Sequence, residues 1–371
     1  MSDTVTKVTA IDHPILTIIL PTRNSEYYLK FTVNCILKSS DPRFELIVVE
    51  NSDQVNGDLK LFETDPRLKI LKNDKYLSMS ENWMKGLKEA KGEWFCFMGS
   101  DDGIVGDNLS FFLDLLSETK SDLVTGHDSS FSYSLNHQLP SITIPVFKNT
   151  LKITKIKWPI MRVILFHKIK YDIPQPYNKA FARKSFISQE LRGLAKIPGA
   201  SPDNFLGYLL ALKSKKGTNL DLNIFIRGTS EKSNGFNYWN DTKAIETNLF
   251  LNDSSDFLGP MSRKYGLKCR MADQVDHYIL AKSFLGDAVH PLILKCFFVW
   301  CEISCENRDH HRLQYHRSLN TLKTHVLDFI AFSLRKLWLF ANFGRHIPSK
   351  NRKLTLAENS TIIDAADLLK F

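Results

Sequence analysis

Short apolar runs alternate with amphipathic segments along the first third of the chain. Residues 15–24 (ILTIILPTRN) and 44–53 (FELIVVENSD) are apolar runs that end in polar side chains, and this pattern predicts two strands. Residues 25–40 lie between them with apolar side chains near helical spacing, which predicts a helix. A strand, a helix and a strand in this order place the two strands parallel, so both polar ends should lie at one edge of a sheet.

The alternation continues to about residue 130. It predicts strands at 68–71, 93–98 and 122–125 and helices at 80–90 and 108–119. We expect Ser80 to cap the first of these helices. Because alternating strands and helices are typical of a parallel sheet covered by helices, the predicted fold class is α/β.

Two adjacent carboxylates, Asp101 and Asp102, follow the predicted strand at 93–98. Open α/β sheets bind ligands at the carboxyl ends of their strands, and carboxylate oxygens suit Mg²⁺ or Mn²⁺ holding a diphosphate. The sequence Asp-Asp-Gly is also common in turns. The polar ends of the neighbouring strands favour a binding site over a simple turn.

Six motifs extend this pattern: PTRN at 21–24, VVENS at 48–52, LSMSENW at 77–83, AKGEWFCFMGSDDG at 90–103, SPDNF at 201–205 and GTSEKSNG at 228–235. In their order and spacing they resemble the inverting family 2 glycosyltransferases, which have the fold called GT-A. The resemblance covers roughly the first 240 residues. It implies a GT-A-like, mostly parallel sheet flanked by helices, followed by a helical C-terminal region.

We therefore predict a glycosyltransferase domain over residues 14–240. Its donor half, 14–130, would bind the nucleotide sugar, and residues 131–240 would form the acceptor half. Residues 241–371 would form the helical C-terminal region, which we expect to associate with a membrane.

The resemblance also implies which residues form the site. Asp102 would be the ligand of a Mg²⁺ or Mn²⁺ ion, and Asp101 would contact the ribose and the ligands around the metal. Ser100 stands where many relatives have a third aspartate, and Glu50 stands where relatives usually have aspartate. The predicted donor-binding residues are Pro21, Thr22, Arg23, Asn24, Glu50, Asn51, Ser52, Ser78, Met79, Asn82, Ser100 and Asp101.

Asp203 is the predicted catalytic base. An inverting transfer needs a carboxylate that takes the proton from the acceptor hydroxyl as that oxygen attacks the sugar. Asp203 is the only acid between Glu190 and Asp221. Because it also precedes a predicted helix, its charge would suit the helix dipole without any catalytic role. Asp128 and Glu190 are the next acids to consider.

Other segments suggest weaker hypotheses. His127 and Asp128 follow a predicted strand near the expected sugar position, and the loop 228–235 could close over the diphosphate through Thr229, Ser230, Lys232 or Ser233. Cys301, Cys305, His310 and His311 have partial zinc-ligand spacing, but a second Cys pair is missing, so buried cysteines are the better interpretation. The first strand is followed by no glycine-rich phosphate loop, which argues against dinucleotide and P-loop sites.

The charge is unevenly distributed. The formal net charge is +9, and residues 263–371 contain 17 basic and 10 acidic residues. Residues 312–353 combine nine basic residues and one acid with an apolar helical stripe, which fits either an interfacial helix on anionic lipid or a helix packed on the domain. We predict no nucleic-acid partner, because no recognition motif accompanies the charge.

Six cysteines without regular pairing and the absence of an amino-terminal signal segment predict a cytoplasmic protein, at most peripheral on the inner face of the cell membrane. No apolar run reaches the roughly 18 residues that a membrane span needs.

The predicted function is inverting transfer of a sugar from a nucleoside diphosphate donor, UDP-linked, to a glycan or lipid-linked acceptor in surface-polysaccharide synthesis, such as O-antigen or capsule. The alternative is a non-catalytic nucleotide-sugar-binding or scaffold subunit of an assembly complex. The sequence does not identify the sugar, the acceptor, the linkage or the oligomeric state.

Overall fold

The computed structural model describes most of the first 290 residues and a C-terminal stretch. The described ranges are 12–52, 57–105, 108–134, 138–145, 173–233, 258–265 and 270–289, with residues 291, 293–294, 297 and 301, and 352–369 except 358 and 368. All structural statements below concern these residues.

A ten-stranded mixed sheet forms the centre of the described fold. Its main strand order is β10-β7-β6-β8-β4-β1-β2-β3, and β9 pairs with both β6 and β5. The strands are β1 Leu16–Thr22, β2 Phe44–Glu50, β3 Leu68–Lys72, β4 Trp94–Phe97, β5 Gly103–Ile104, β6 Leu123–Ser132, β7 Ser141–Ile144, β8 Ala180–Arg183, β9 Gly217–Thr229 and β10 Arg352–Thr355.

Helices cover both faces of this sheet. They are α1 Glu26–Leu37, a 3₁₀ helix Gly57–Phe62, α2 Met79–Glu89, α3 Leu109–Glu118, α4 Ser185–Ser188, α5 Pro202–Lys213, α6 Pro260–Tyr265, α7 Arg270–Phe284 and α8 Ile362–Asp367. Alternate residues of β1 belong to different cores: Ile19 packs with α2 and α5, whereas Ile18 packs with α1 and α3. This alternation is the period of two that a strand buried on both faces requires.

The predicted fold class is confirmed as α/β. The strands β3, β2, β1 and β4 are parallel neighbours, as the alternation of strands and helices predicted. The remaining neighbours are antiparallel, except for β6 and β9. These four parallel strands all lie within the predicted donor half, whereas β5 and β6 of the same range have antiparallel partners.

The start of α2 differs from the prediction. Ser78, not Ser80, is its N-cap: the Ser78 hydroxyl accepts from the Glu81 amide, and the Glu81 carboxylate accepts from the Ser78 amide at 2.8 Å. This is a capping box, whose Ser-x-x-Glu spacing places the cap three residues before the acid. Ser80 instead lies buried within the first turn.

The described C-terminal residues return to the sheet. β10 pairs antiparallel with β7, and α8 packs against α1, where Lys38 forms a 2.6 Å ion pair with Asp367. The predicted helical C-terminal region thus includes a strand. The predicted boundary at residue 240 lies outside the described residues, so the division of the chain stays a prediction.

Within the described residues no helix is both long and apolar enough to cross a membrane. The basic segment 312–353 lies almost entirely outside the described residues, and so do Cys305, His310 and His311 of the zinc hypothesis.

Candidate functional site

The parallel register brings the predicted donor-binding motifs to one edge of the sheet. Thr22 pairs with Glu50, and Ile19 pairs with Phe97, so β1, β2 and β4 all end at this edge. The amide of Asn51 donates to the Thr22 carbonyl at 3.1 Å. The polar residues that follow these three strands, including Asp101 and Asp102, therefore share the carboxyl edge, as predicted.

Asp102 is 1% exposed, and both its carboxylate oxygens accept hydrogen bonds. The Gly228 amide donates to Oδ1 at 2.8 Å, and the Gly99 amide donates to Oδ2 at 2.5 Å. The side-chain amide of Asn178 also donates to Oδ2, and the Tyr177 hydroxyl is hydrogen-bonded to the same carboxylate. The end of β9 and the segment before β8 thus close around the end of β4.

Asp101 is bound by the loop after β9. Its Oδ2 accepts from the Ser230 hydroxyl at 2.7 Å and from the Ser233 hydroxyl. Position 228 has room for glycine alone, because a Cβ there would lie 1.7 Å from the Asp101 carbonyl oxygen. The loop 228–235 was a weak hypothesis from sequence, and two of its serines contact the acid pair.

Helix α1 anchors the backbone of the same turn. The Thr32 hydroxyl lies 2.8 Å from the Ser100 carbonyl oxygen and 2.7 Å from that of Asp102. Next along the helix, the Cys35 thiol lies 3.2 Å from the Ile104 carbonyl. The acid pair is therefore fixed through its backbone as well as its side chains.

The two adjacent carboxylates are held by neutral groups: hydroxyls, backbone amides and one side-chain amide. Burial and the charge of Asp101 raise the pKa of Asp102 to about 7, although the hydrogen bonds from Asn178 and Gly228 act in the opposite direction. Two buried carboxylates without a cation destabilise each other. The pair therefore has the charge and the hard oxygens that a divalent cation requires.

The end of β2 is joined to the loop after β1. The Ser52 amide donates to Glu50 Oε1 at 3.0 Å, its hydroxyl bonds to the same oxygen, and that hydroxyl accepts from the Asn24 amide at 2.8 Å. Burial raises the pKa of Glu50 despite these bonds. The Arg23 guanidinium lies 4.3 Å from the centre of the Tyr76 ring. Sequence reasoning did not select Tyr76.

Asn51 and Asn82 serve the framework of the site in this structure. Asn51 bonds to both backbone groups of Leu77, at 2.7 and 3.0 Å. The Asn82 amide donates to the Val49 carbonyl at 3.1 Å, and its oxygen accepts from Asn73 at 2.9 Å. These bonds hold the start of α2 against β2, and direct contact of either side chain with a nucleotide stays a prediction.

The remaining predicted donor residues lie at the same edge. Pro21, Ser78, Met79 and Ser100 are each partly exposed there, while Thr22 is buried and its hydroxyl bonds to that of Ser25 at 2.7 Å. Their contact with a nucleotide likewise stays a prediction.

Asp203 lies in the first turn of α5, where Pro202 begins the helix. Its Oδ2 accepts from the Gln175 side-chain amide at 3.2 Å. Burial and the charge of Asp273 raise the pKa of Asp203 to about 6, while a charge on His277 acts in the opposite direction. A carboxylate with such a pKa is suited to accept a proton near neutral pH.

Helix α7 supports the start of α5. The Ser201 amide donates to His277 Nε2 at 2.9 Å, so this nitrogen carries no proton, and Nδ1 donates to the Asp273 carbonyl at 2.6 Å. The Asp273 carboxylate accepts from the Asn204 amide at 2.9 Å and from the Ser201 hydroxyl at 3.3 Å. Ser201 does not cap its own helix with its side chain, and α7 supplies the polar partners instead.

Tyr177 connects the two acidic regions. Its hydroxyl bonds to Asp102, and the charges of Asp102, Asp101 and Asp203 all act with burial to raise the pKa of Tyr177. Its ring stacks on Trp83 at 5.4 Å. The acid pair and the predicted base are therefore within electrostatic range of the same side chain.

Sequence reasoning did not select Tyr177, Asn178, Asp273 or His277. Each contacts a residue 69 to 76 positions away along the chain, so no local motif indicates it. Asp128, a reserve candidate for the base, forms an ion pair with Arg227 at 2.8 Å. Glu190, the other reserve candidate, is paired with Lys213.

The described residues contain no group of three or more His, Cys, Asp or Glu side chains able to hold a metal ion.

Comparison with known proteins agrees with this arrangement. Residues 17–188 match the family described as Glycosyl transferase family 2. The chain is 25% identical over 118 residues to the UDP-Glc:alpha-D-GlcNAc-diphosphoundecaprenol beta-1,3-glucosyltransferase WfgD of Escherichia coli, covering 32% of this chain and 47% of WfgD. It is 28% identical over 108 residues to TuaG of Bacillus subtilis, a glycosyltransferase assigned to teichuronic acid biosynthesis, covering 28% of this chain and 43% of TuaG. The chain thus spans less than half the length of these two relatives.

Solved structures of Staphylococcus aureus TarS are also similar. One superposes with a TM-score of 0.48 and 18% identity over 82% of this chain and 57% of TarS. The TarS 1–349 complex with UDP-GlcNAc gives a TM-score of 0.48 and 16% identity over 93% of this chain and 98% of that one.

Proposed function

We propose that this chain, whose residues 17–188 form a family 2 glycosyltransferase domain, transfers a sugar from a UDP-linked donor to a glycan or lipid-linked acceptor with inversion. The proposal places this reaction in surface-polysaccharide synthesis. One observation carries it: two adjacent buried carboxylates follow β4, and their hydrogen-bond partners among the described residues are neutral. The charges of this pair and of Asp203, whose pKa is raised, act on the same Tyr177. The similarity to WfgD, a glucosyltransferase that uses UDP-Glc, supports a UDP-linked donor.

The acid pair would hold the diphosphate through a divalent cation. Asp102 and Asp101 would hold Mg²⁺ or Mn²⁺, and water and the diphosphate would supply its other ligands. The bound ion neutralises negative charge on the departing diphosphate. Serines 230 and 233 keep Asp101 oriented, and Glu50 with Ser52 orders the neighbouring edge for the nucleoside.

Asp203 performs the proton transfer in this proposal. Its carboxylate accepts the proton of the acceptor hydroxyl while that oxygen attacks the anomeric carbon. The new bond forms on the sugar face opposite the diphosphate, whose bond to the anomeric carbon breaks. The configuration is therefore inverted, and the raised pKa of Asp203 favours this role over that of a scaffold subunit.

The test is calorimetric titration with UDP, with and without Mn²⁺. We expect wild type to bind UDP tightly only with Mn²⁺, and Asp102→Ala and Asp101→Asn each to weaken that binding more than tenfold. Asp287→Ala, which alters an exposed acid paired with Lys282, is the matched control. Unchanged Mn²⁺-dependent affinity in a folded Asp102→Ala variant would show that the acid pair is only a turn. A panel of UDP-sugars incubated with lipid-linked glycans then identifies donor and acceptor.

We also propose that the basic segment 312–353 brings the protein to the cytoplasmic face of the membrane. Each basic residue near an anionic surface contributes about 1 kcal/mol. The measurement is co-sedimentation with anionic and neutral vesicles. Wild type should bind anionic vesicles, and a variant with Arg335, Lys336, Arg345, Lys350, Arg352 and Lys353 changed to Gln should not. Equal, negligible binding of both would remove this part of the proposal.

A further inference from the structure

Asn178 has an unusual backbone conformation beside the acid pair. Its φ is 53°, and Asn24 is the other residue besides glycine with positive φ in the described part of the chain. Asparagine tolerates this region better than most residues, but the conformation is still unfavourable compared with the right-handed region. Such strain persists where surrounding contacts impose it.

Strand β4 provides those contacts. The Phe97 amide donates to the Pro176 carbonyl at 2.6 Å, and the Asn178 amide donates to the Phe97 carbonyl at 3.2 Å. The segment before β8 is thereby held against the last residue of β4. Because Asp102 follows that residue closely, the turn at Asn178 brings its side chain to the Asp102 carboxylate.

The side chain of Asn178 is 2% exposed, and only one of its two polar ends is used within the described structure. Its nitrogen donates to Asp102 Oδ2, whereas its oxygen is buried without a hydrogen-bond partner. An ionised Asp102 carboxylate accepts from the amide nitrogen and repels the amide oxygen, which favours this orientation of the side chain. Leaving a buried acceptor unpaired is unfavourable, because the oxygen has lost its hydrogen bonds to water and gained none in return.

Asn178 therefore combines an unfavourable backbone conformation with an unpaired buried oxygen. Within the described structure its side chain makes one hydrogen bond, to Asp102. The other donors to this carboxylate are the amides of Gly99 and Gly228 and the Tyr177 hydroxyl. Asn178 and Gly99 donate to the same oxygen of Asp102 from different chain segments. These two bonds limit rotation of the Asp102 side chain about its Cα–Cβ bond.

We propose that Asn178 is a positioning residue that fixes the orientation of the Asp102 carboxylate for the donor diphosphate and its divalent cation. The inference rests on the proposed function, because it assigns Asp102 to that cation. A purely structural residue at this position would need only the left-handed backbone conformation, which glycine adopts without strain.

Three variants separate these roles. Asn178→Gly removes the side chain and the backbone strain, Asn178→Ala removes the side chain and keeps the strain, and Asn178→Asp keeps the shape but presents a carboxylate to Asp102. We expect the glycine variant to melt at or above the wild-type temperature and the alanine variant below it. We expect the glycine and alanine variants to lose Mn²⁺-dependent UDP affinity equally, by about tenfold. A positioning role of the side chain requires this loss in both variants, whereas a role of the backbone alone predicts no loss in the glycine variant. Asn178→Asp should lose more.

Wild-type affinity in the stable Asn178→Gly variant would overturn the inference. Crystal structures of wild type and Asn178→Gly without nucleotide provide a readout independent of binding: we expect the Asp102 side chain to occupy one rotamer in wild type and to rotate or divide between rotamers in the variant. If wild type fails to bind UDP with Mn²⁺, the proposed function fails. The rotamer comparison still decides the role of Asn178, because an Asp102 side chain with the same single rotamer in wild type and in Asn178→Gly would refute a positioning role.

Discussion

The two acidic regions of this protein are supported in different ways. Asp101 and Asp102 follow a central parallel strand, and their partners are backbone amides, hydroxyls and Asn178. Asp203 begins a helix whose first turn is supported by another helix, α7. The acid pair lies within the region matched to the family, whereas Asp203 and α7 lie beyond it. In the proposed function, donor binding therefore depends on the matched region together with the end of β9 and the loop after it, and orientation of the predicted base depends mainly on α7.

The strongest test of this comparison separates binding from proton transfer. Asp203→Asn should lower turnover by a factor on the order of 10² or more, because an amide cannot accept the proton. Its affinity for UDP should change less than twofold, because the acid pair is untouched. Single-turnover kinetics and calorimetry measure the two quantities. Glu190→Gln, which alters an acid paired with Lys213 at the other end of α5, should keep wild-type turnover. Turnover persisting in Asp203→Asn would mean that the base lies elsewhere.

A smaller effect concerns the pH dependence that α7 imposes on Asp203. The base must be ionised, so kcat/KM should rise with pH and level off above about 6, the raised pKa of Asp203. The Asp273 charge raises this pKa, so Asp273→Asn should move the rise to lower pH. The measurement is the pH profile of kcat/KM, with Asp287→Asn as a control; coincident profiles would exclude any influence of α7 on the base.

The smallest expected effect is on stability. Because the pKa of Asp203 is raised in the folded protein, from 3.8 to about 6, its contribution to stability is present below pH 4 and is lost as pH rises through 6. Asp203→Asn removes this loss. The variant should therefore melt a few degrees above wild type at pH 7.5 and level with it at pH 4. The measurement is thermal unfolding at both pH values. A variant that melts below wild type at pH 7.5 would contradict the prediction that the ionised Asp203 carboxylate destabilises the folded protein.

Much of the donor half could be predicted from sequence. The apolar runs ending at Thr22, Glu50 and Phe97 became neighbouring parallel strands, and the acid pair lies at the predicted edge. Those contacts follow from local periodicity and from the rule that parallel strands share an edge. The start of α2 was predicted wrongly because two serines, at 78 and 80, compete for the cap, and only Glu81 identifies the first of them.

The supporting residues could not be predicted in the same way. Asn178 contacts Asp102 from 76 positions away, and His277 contacts Ser201 from an equal separation. Neither the left-handed backbone at Asn178 nor the packing of α7 on α5 produces a periodic pattern in the sequence. Such contacts depend on how distant segments pack, and a single sequence carries little record of that.

The return of the chain to the sheet at β10 has a practical consequence for truncation. A fragment that ends after the family match would leave β7 as a sheet edge with unpaired amides and carbonyls, and would also uncover the apolar residues of α1 and β5 that α8 shields. Exposed edges and apolar patches of this kind promote aggregation between molecules. Precipitation of a recombinant fragment ending near residue 240 would thus report a missing distant strand, and would say nothing against the catalytic competence of the residues it contains. A fragment ending near residue 190 would also lack β9 and leave β5 and β6 without that partner.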